Sequence, residues 1–137
     1  MHRFDQFHDG FYNGLLIREG VVDLFVATSG KERFVLSARG VIRLFSGDIR
    51  EGNIIFDIEC RAHAEISLGD IRDVYGLGDG PQDETHAHNA LTKAADEHLS
   101  LLVMSSSYGG HCLLLAKSFV LQPEGHWIRE LCAEDRP

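Results

Sequence analysis

The chain has 137 residues, a length that fits one hydrophobic core and falls short of two. Its 44% hydrophobic and 25% charged residues are typical of a globular protein and argue against a disordered, collagenous or disulfide-scaffold chain. We therefore expect a single domain over residues 1–137, and the net charge of −8 argues against a nucleic-acid-binding protein, which would show clustered Lys and Arg.

The start of the chain and its apolar runs predict a soluble, cytoplasmic protein with no membrane association. Charged and polar residues interrupt the first ten positions, where a secretory signal needs an apolar stretch. No apolar run approaches the roughly 18 to 20 residues that a membrane-spanning helix requires. Cys60, Cys112 and Cys132 are odd in number and widely spaced, which favours reduced, buried thiols over disulfides.

Three strands are predicted first, at residues 11–18, 21–28 and 33–45, because β-forming apolar residues recur there between turn signals. Glu19-Gly20 predicts a tight connection, and residues 29–32 predict a looser one. Consecutive antiparallel hairpins are the economical arrangement of such short spacings. Gly40 is expected to break or bulge the third strand.

The clearest pattern is an alternation of side chains between residues 54 and 68. Every even-numbered position in this range is apolar, while Asp57, Glu59, Arg61 and Glu65 stand between them. Alternation at period two predicts β structure, because a helix would not gather these residues on one face. A straight strand of this length would reach about 50 Å at roughly 3.3 Å per residue. We therefore expect a bend or break near residues 61–64, with those four charged side chains facing water.

The next segment, residues 69–83, is rich in glycine and aspartate and predicts a loop, with one short turn near residues 71–75. A helix follows over about residues 83–98, with Asp83 or Thr85 as its N-terminal cap. Its apolar stripe is made largely of alanine, so we expect it to lie flat against the sheet. The stripe consists of Ala87, Ala90, Leu91, Ala94, Ala95 and His98.

Two last strands are predicted at residues 99–105 and 112–121, joined by a glycine turn. The tail contains Trp127, Ile128 and Leu131, which predict a short helix docked on the core. Together these elements predict a mainly β, α+β fold. We expect an antiparallel sheet or sandwich of about six to eight strands, with one helix at about residues 83–98 packed on it.

Eight histidines prompt a search for a metal site, since imidazole is a common metal ligand. His86 and His88 would point about 200° apart on a helix, whereas ligands on one face need a spacing of three or four. The chain contains no His-Glu-x-x-His motif and no paired cysteines of zinc-site spacing. We therefore predict no metal site and no cofactor.

No set of residues in the sequence forms a coherent catalytic motif. The serines at 105–107 lack the Gly-x-Ser-x-Gly pattern, and His111 is adjacent to Cys112 in sequence rather than across a cleft. We predict no catalytic residues. His8 and Asp9, near the first strand, are the candidates for an acid/base pair, and a turn-forming role is the competing interpretation.

The acidic residues are concentrated in the middle of the chain. Residues 46–98 contain twelve Asp or Glu against four Lys or Arg, a balance of −8, while the remainder contains nine of each. Solubility accounts for such an excess, and a surface that binds a basic protein is the functional interpretation. Calcium is a further alternative, although no Asp-x-Asp-x-Asp-Gly loop is present. The predicted binding residues are Asp70, Asp73, Asp79 and Asp83.

Three stretches resemble small uncharacterised bacterial proteins, some of which look like the immunity proteins encoded beside polymorphic toxins. They are Phe7-His8-Asp9-Gly10, then Gly40-Val41 leading to residues 48–57, then Ser107-Tyr108-Gly109-Gly110. The resemblance is spread over most of the chain, and its motifs are structural in type. It implies a β-rich domain that acts by binding a toxin, with no catalytic residues to carry over.

Three hypotheses follow from these observations. The first is a non-enzymatic binding domain, an immunity-like inhibitor whose acidic surface covers a basic site on a protein partner. The alternative is a small metal-dependent or acid/base enzyme that uses His8, Asp9 and other histidines. The third is a self-assembling module, a homodimer in which exposed strand edges or an apolar second face are covered by another copy.

Overall fold

A computed structural model describes residues 2–134 and shows one antiparallel sheet curled into a barrel. The strands lie in the order β1-β5-β2-β3-β4-β7-β6, and β5 also pairs with β6. This additional pairing closes six strands into a ring, with β1 as an extra strand on β5. Their bounds are β1 His2–Arg3, β2 Phe11–Arg18, β3 Val21–Ala27, β4 Arg33–Gly47, β5 Asn53–Arg61, β6 Ser100–Tyr108 and β7 His111–Pro123.

The prediction of a mainly β, antiparallel fold is confirmed, but neither an open sheet nor a sandwich is formed. The first hairpin joins β2 to β3 through Glu19-Gly20, with Arg18 opposite Val21. β3 then pairs with β4 along its whole length. These bounds agree closely with the predicted strands, because turn signals and apolar runs act over short distances.

β4 and β7 form the longest pairing of the sheet, from Phe34 opposite Pro123 to Gly47 opposite His111. Gly40 takes a φ of 63°, and Ile42 is an extra residue between Val41 and Arg43 in this ladder. The strand is not broken at Gly40, and the predicted bulge lies two residues further along, at Ile42. Such bulges bend a strand and increase its twist, which helps a sheet to close on itself.

β5 ends at Arg61, within the range where a bend or break was expected. The alternation of side chains predicted further β structure as far as residue 68, but the chain beyond Arg61 is not a strand. A 3₁₀ turn occupies His63–Glu65, and Ser67 begins the first helix. Within β5 the even-position alternation also fails, because Phe56 is a bulge residue between the partners of Ser106 and Ser105. Ile55 and Ile58 therefore enter the barrel core, while Phe56 is 55% exposed.

The charged residues of this segment also depart from the expectation that all four face water. Glu65 is exposed, but Glu59 is only 8% exposed. Arg61 donates a hydrogen bond from Nε to Glu59 Oε1 at 2.7 Å, and Arg3 Nε lies 3.8 Å from Glu59 Oε2. These cations compensate the carboxylate for its loss of water.

Residues 2–134 form three α-helices, one more than the sequence predicted: α1 Leu68–Tyr75, α2 Pro81–Asp96 and α3 Glu124–Glu134. α1 lies inside the predicted loop, and α3 is the expected helix of the tail, where the Trp127 ring packs edge-to-face on Phe25 at 5.1 Å between centroids. Within residues 2–134, no helix is both long and apolar enough to cross a membrane.

α2 packs against the barrel through alanine, as its sequence predicts. Ala87, Ala90 and Ala94 are buried, whereas Ala95 is exposed within the helix and His98 lies beyond its end at Asp96. The predicted caps are wrong. Gly80 occupies the cap position and Pro81 the first turn, where the missing N–H of proline costs nothing.

Apolar side chains form two separate clusters on the two sides of the barrel wall. One fills the barrel interior, and its largest members include Phe7, Tyr12, Leu24 and Leu36. The other lies between the wall and the two helices α1 and α2, and includes Ile71, Val74, Leu101 and Leu115. The polar side of α1 and α2 consequently faces outward.

Candidate functional site

The excess negative charge of the sequence lies mostly on one structural unit, α1 and α2 with their connections. Residues 65–98 contain eight Asp or Glu and two Lys or Arg, a balance of −6. We call this unit the acidic helical surface (residues 65–98). Because the apolar residues of both helices pack on the barrel, these charges are displayed on the outer side of the fold. The four predicted binding residues all belong to it, but they have different environments.

Asp70 is a structural residue of α1. Its Oδ2 accepts a hydrogen bond from the Ser67 backbone N–H at 2.9 Å, and the Ser67 hydroxyl accepts one from the Asp70 N–H at 3.0 Å. Arg61 also donates to Asp70 Oδ1 at 2.5 Å. Burial acts to raise the pKa of Asp70, but the hydrogen bonds from Ser67 and Arg61 outweigh it, so the pKa is lowered. This carboxylate stays charged and is already engaged.

Asp83 also has a local role. It is half-buried in the first turn of α2, and its Oδ2 accepts a hydrogen bond from the backbone N–H of Gly78 at 3.0 Å. The contact ties the loop between the helices to α2. A carboxylate at this position also interacts favourably with the positive end of the helix dipole.

Asp73 and Asp79 are the two members of the predicted set that remain available to a partner. Both are exposed, and neither side chain makes an ion pair or hydrogen bond with any residue in the described range 2–134. Asp79 lies in the loop between α1 and α2. Asp73 lies on α1 and borders a groove on the barrel wall.

The groove forms because β6 and β7 separate. They pair from Ser100 to Met104, where Met104 lies opposite Cys112, but beyond this point β6 follows β5 as far as Tyr108. The resulting space has a volume of about 530 Å³. It is lined by Phe45, Asp73, Val103, Met104, Ser105, Ser106, His111 and Leu113.

One wall of the groove is aromatic. The ring centroids of Phe45 and His111 lie 5.5 Å apart, and the angle between the ring planes is 34°. Gly47 lies opposite His111 in the β4–β7 ladder, and a Cβ at Gly47 would lie 3.0 Å from His111 Cε1. The glycine therefore leaves the space that the imidazole ring occupies.

Sequence reasoning missed Phe45 and His111. No local pattern connects them, because they belong to strands whose neighbourhood is decided by the long β4–β7 pairing. Phe45 was assigned only to the end of a strand, and His111 was considered only as a neighbour of Cys112, not as part of a groove. A pairing of β4 with β7 at the correct register would have been needed to place both on one wall.

The groove combines apolar walls with a carboxylate at its border. Such a site suits a long cationic side chain, whose methylene stem packs on Phe45 and Leu113 while its charge approaches Asp73. The Ser106 hydroxyl donates to the Gly109 carbonyl at 2.8 Å. Among the described residues, no hydrogen bond joins the His111 ring to Ser105, Ser106 or Asp73, so these groups do not form a nucleophile and base pair.

Cys112 follows His111 in the sequence, but it lies in the barrel core while His111 lines the groove. Its side chain is buried in the barrel core, and burial raises the pKa of its thiol to about 12. A thiol with such a pKa carries almost no thiolate near neutral pH. The prediction of a buried thiol is therefore confirmed for Cys112, whereas Cys60 is half-buried and Cys132 is exposed.

His8 and Asp9 occupy a turn at the opening of β2. His8 Nδ1 lies 2.6 Å from the Phe56 carbonyl oxygen, and His8 Nε2 lies 3.6 Å from Asp9 Oδ2. Both side chains are exposed, and Asp9 has a φ of 60°, a conformation that aspartate tolerates in turns. The geometry fits the turn-forming interpretation.

The remaining histidines do not gather around this pair. His63 and His98 contact each other at 4.8 Å between ring centroids, and His86 packs against Tyr75. Within the part of the chain that the structure describes, no three His, Cys, Asp or Glu side chains are placed to hold a metal ion.

Comparison of the chain with protein-family models, with curated proteins and with solved structures finds no match.

Proposed function

We propose that this protein is a non-enzymatic binding domain that holds a basic segment of another protein on its acidic helical surface. The observation that carries the proposal is the environment of Asp73. This carboxylate is exposed and makes no ion pair within residues 2–134, and it borders a groove with the Phe45 and His111 rings on one wall. An arginine or lysine of a partner would meet both a charge and an apolar surface there.

The charge of the whole surface supports the same partner chemistry. A balance of −6 over residues 65–98 attracts a basic surface at a distance and raises the rate of encounter. The groove then provides a fixed place for an anchoring side chain, which long-range attraction alone does not supply. Asp79 also lies on the acidic helical surface and contributes to the attraction.

The resemblance to immunity proteins suggests what the basic partner is. A toxin that acts on nucleic acid carries a positively charged active site, and an acidic inhibitor blocks such a site by covering it. We therefore propose an immunity-like inhibitor whose partner is a basic toxin domain. Genes for such pairs lie side by side, so the products of adjacent genes are the first proteins to test.

The experiment measures binding of the purified chain to the proteins encoded by its neighbouring genes, at low and at moderate salt. We expect one of them to bind, with an affinity that falls several-fold as salt screens the charges. The double variant Asp73→Asn, Asp79→Asn should weaken binding by about tenfold.

The matched control is Asp5→Asn with Glu32→Gln, which also removes two exposed carboxylates but leaves residues 65–98 unchanged. Its affinity should stay within about twofold of the native value, since both sites lie outside the acidic helical surface. Binding that neither salt nor the Asp73 and Asp79 changes affect would contradict the proposal. So would the absence of any bound neighbour.

A further inference from the structure

One edge of β2 is open along most of its length. β2 pairs with β5 only at Phe11 opposite Ile54 and Tyr12 opposite Asn53. Asn13 is an extra residue in the β2–β3 ladder, between Tyr12 and Gly14, and such a bulge bends a strand. Beyond this bulge, no strand in the described range lies on the β5 side of residues 13–18.

The backbone of this edge has hydrogen-bonding groups that point away from the sheet. In a two-residue hairpin the residues that flank the turn bond to each other, which here joins Arg18 to Val21. Bonding alternates along the strand, so Leu16 also bonds to β3, whereas Leu15 and Ile17 direct their N–H and C=O groups to the open side. Outside the sheet ladders, no backbone hydrogen bond of residues 2–134 uses Leu15 or Ile17.

The side chains of the open edge are apolar. Leu16 is 38% exposed and Ile17 is 64% exposed. The only charged residue of the strand, Arg18, donates from Nε to the buried Asp23 carboxylate at 2.8 Å. Proteins usually protect a free edge with lysine, proline or a covering loop. Residues 14–17 carry neither a charge nor a proline, and the charge of Arg18 is paired with Asp23, so this part of the edge is suited to pairing.

The geometry points to a second copy of this chain as the occupant, paired through an antiparallel contact between the two β2 strands. A two-fold axis at Leu16 places Leu15 opposite Ile17 of the second copy, and Gly14 opposite its Arg18. Leu15 of one copy and Ile17 of the other then exchange two backbone hydrogen bonds. The two-fold axis creates a second, identical pair, so four hydrogen bonds join the strands. Apolar residues thus face apolar residues across the axis.

The charges near the edge also match a second copy. The same register places Glu19 of the second copy opposite Asn13, and Asn13 lines a cavity together with Lys31 and Arg33. Residues 10–18 contain no Asp or Glu, although the chain as a whole carries −8. Two copies therefore approach each other at this edge without the repulsion that the acidic helical surface would cause.

The dimer should be weak and concentration-dependent. Two short strands bury less surface than the roughly 1,200 Å² at which standard stable interfaces begin, so a micromolar dissociation constant is expected. The contact leaves residues 65–98 free. Dimer formation and binding of a basic partner are thus independent, and each can fail without the other.

The experiment is sedimentation equilibrium of the full chain up to about 1 mM, where a weak dimer is populated. The native chain should show a monomer–dimer equilibrium. Ile17→Lys should raise the dissociation constant by about tenfold or more, because it places a charge on the edge. Ile128→Lys, at an exposed position of α3, is the matched control and should leave the equilibrium unchanged. Circular dichroism confirms that each variant is folded.

A charge exchange tests the register. Glu19→Lys and Lys31→Glu should each weaken the dimer, while the double variant should restore it within about threefold. A native chain that stays monomeric at the highest concentration would overturn the inference. A dimer that Ile17→Lys does not weaken would also overturn it, since the interface would then lie elsewhere.

Discussion

The side-chain oxygen of Asn53 lies 2.6 Å from the backbone nitrogen of Gly110 and accepts its hydrogen bond. The same side chain accepts a hydrogen bond from the Arg50 N–H and donates to the carbonyls of Arg50 and Tyr12. Asn53 is 2% exposed. One buried amide thus joins the loop before β5, the strand β2 and the β6–β7 turn beside the groove.

Replacing Asn53 with alanine should strongly destabilise the fold. The change leaves the Gly110 N–H and the Tyr12 carbonyl without this partner, and each buried unsatisfied group costs about 1 to 3 kcal/mol. We expect the free energy of unfolding in urea to fall by about 3 kcal/mol. Asn89→Ala, at an exposed position of α2, should change it by less than about 0.5 kcal/mol. A small effect at Asn53 would show that the backbone groups find other partners.

Gly109 should not tolerate a side chain, for two reasons that can be separated. It has a φ of 80°, and a Cβ there would lie 2.2 Å from Asn53 Oδ1. Gly20 has a φ of 69° but no atom within 4 Å of its Cβ position. Gly20→Ala should therefore cost about 1 kcal/mol of backbone strain, while Gly109→Ala should cost at least about 2 kcal/mol. Thermal or urea unfolding measures both variants. Equal losses of stability in Gly20→Ala and Gly109→Ala would contradict the close contact between a side chain at residue 109 and Asn53.

Asp70 and Asp73 lie on the same helix and should respond differently to the same change. Asp70→Asn weakens the contact with Arg61 and the cap of α1, so we expect a loss of about 1 to 2 kcal/mol in stability. Asp73→Asn removes no hydrogen bond or ion pair among the described residues and should change stability by less than about 0.5 kcal/mol. Urea unfolding at neutral pH measures both. Comparable losses would mean that Asp73 is also structural.

Stability should decrease in alkaline solution. Burial raises the pKa of Tyr12 from 10.0 to about 12 and that of the Cys112 thiol from 9.0 to about 12. Because both groups ionise more readily in the unfolded chain, their contribution is fully present below about pH 9 and is lost as the pH rises towards 12. Urea unfolding at intervals from pH 8 upwards measures the decline. Tyr12→Phe should make it shallower, and an unchanged slope would show that Tyr12 ionises equally in both states.

The sequence by itself determined the local elements of this protein. The β2–β3 hairpin follows from Glu19-Gly20 between two apolar runs, and α2 follows from its alanine stripe. The end of β5 near Arg61 follows from the length that a straight strand would need. Each of these depends on residues close in sequence, where side-chain period and turn chemistry act directly.

Only the tertiary structure decided which edges meet and which faces are buried. The bulge at Phe56 shifts the alternation of β5 by one residue, so Ile55 rather than Phe56 enters the core. Closure of the barrel depends on β5 pairing with both β2 and β6, two strands that are far from β5 in the sequence. Alternation that continued to Leu68 also obscured the start of α1, which the reciprocal bonds of Ser67 and Asp70 establish.

The candidate site shows the same division. The sequence located the excess of acid in the middle of the chain, because charge can be counted without a structure. It did not separate Asp70 and Asp83, which accept hydrogen bonds within the fold, from Asp73 and Asp79, whose side chains make no hydrogen bond or ion pair within residues 2–134. That distinction, and the placement of Phe45 beside His111, come from long-range strand pairing, which local residue patterns do not specify.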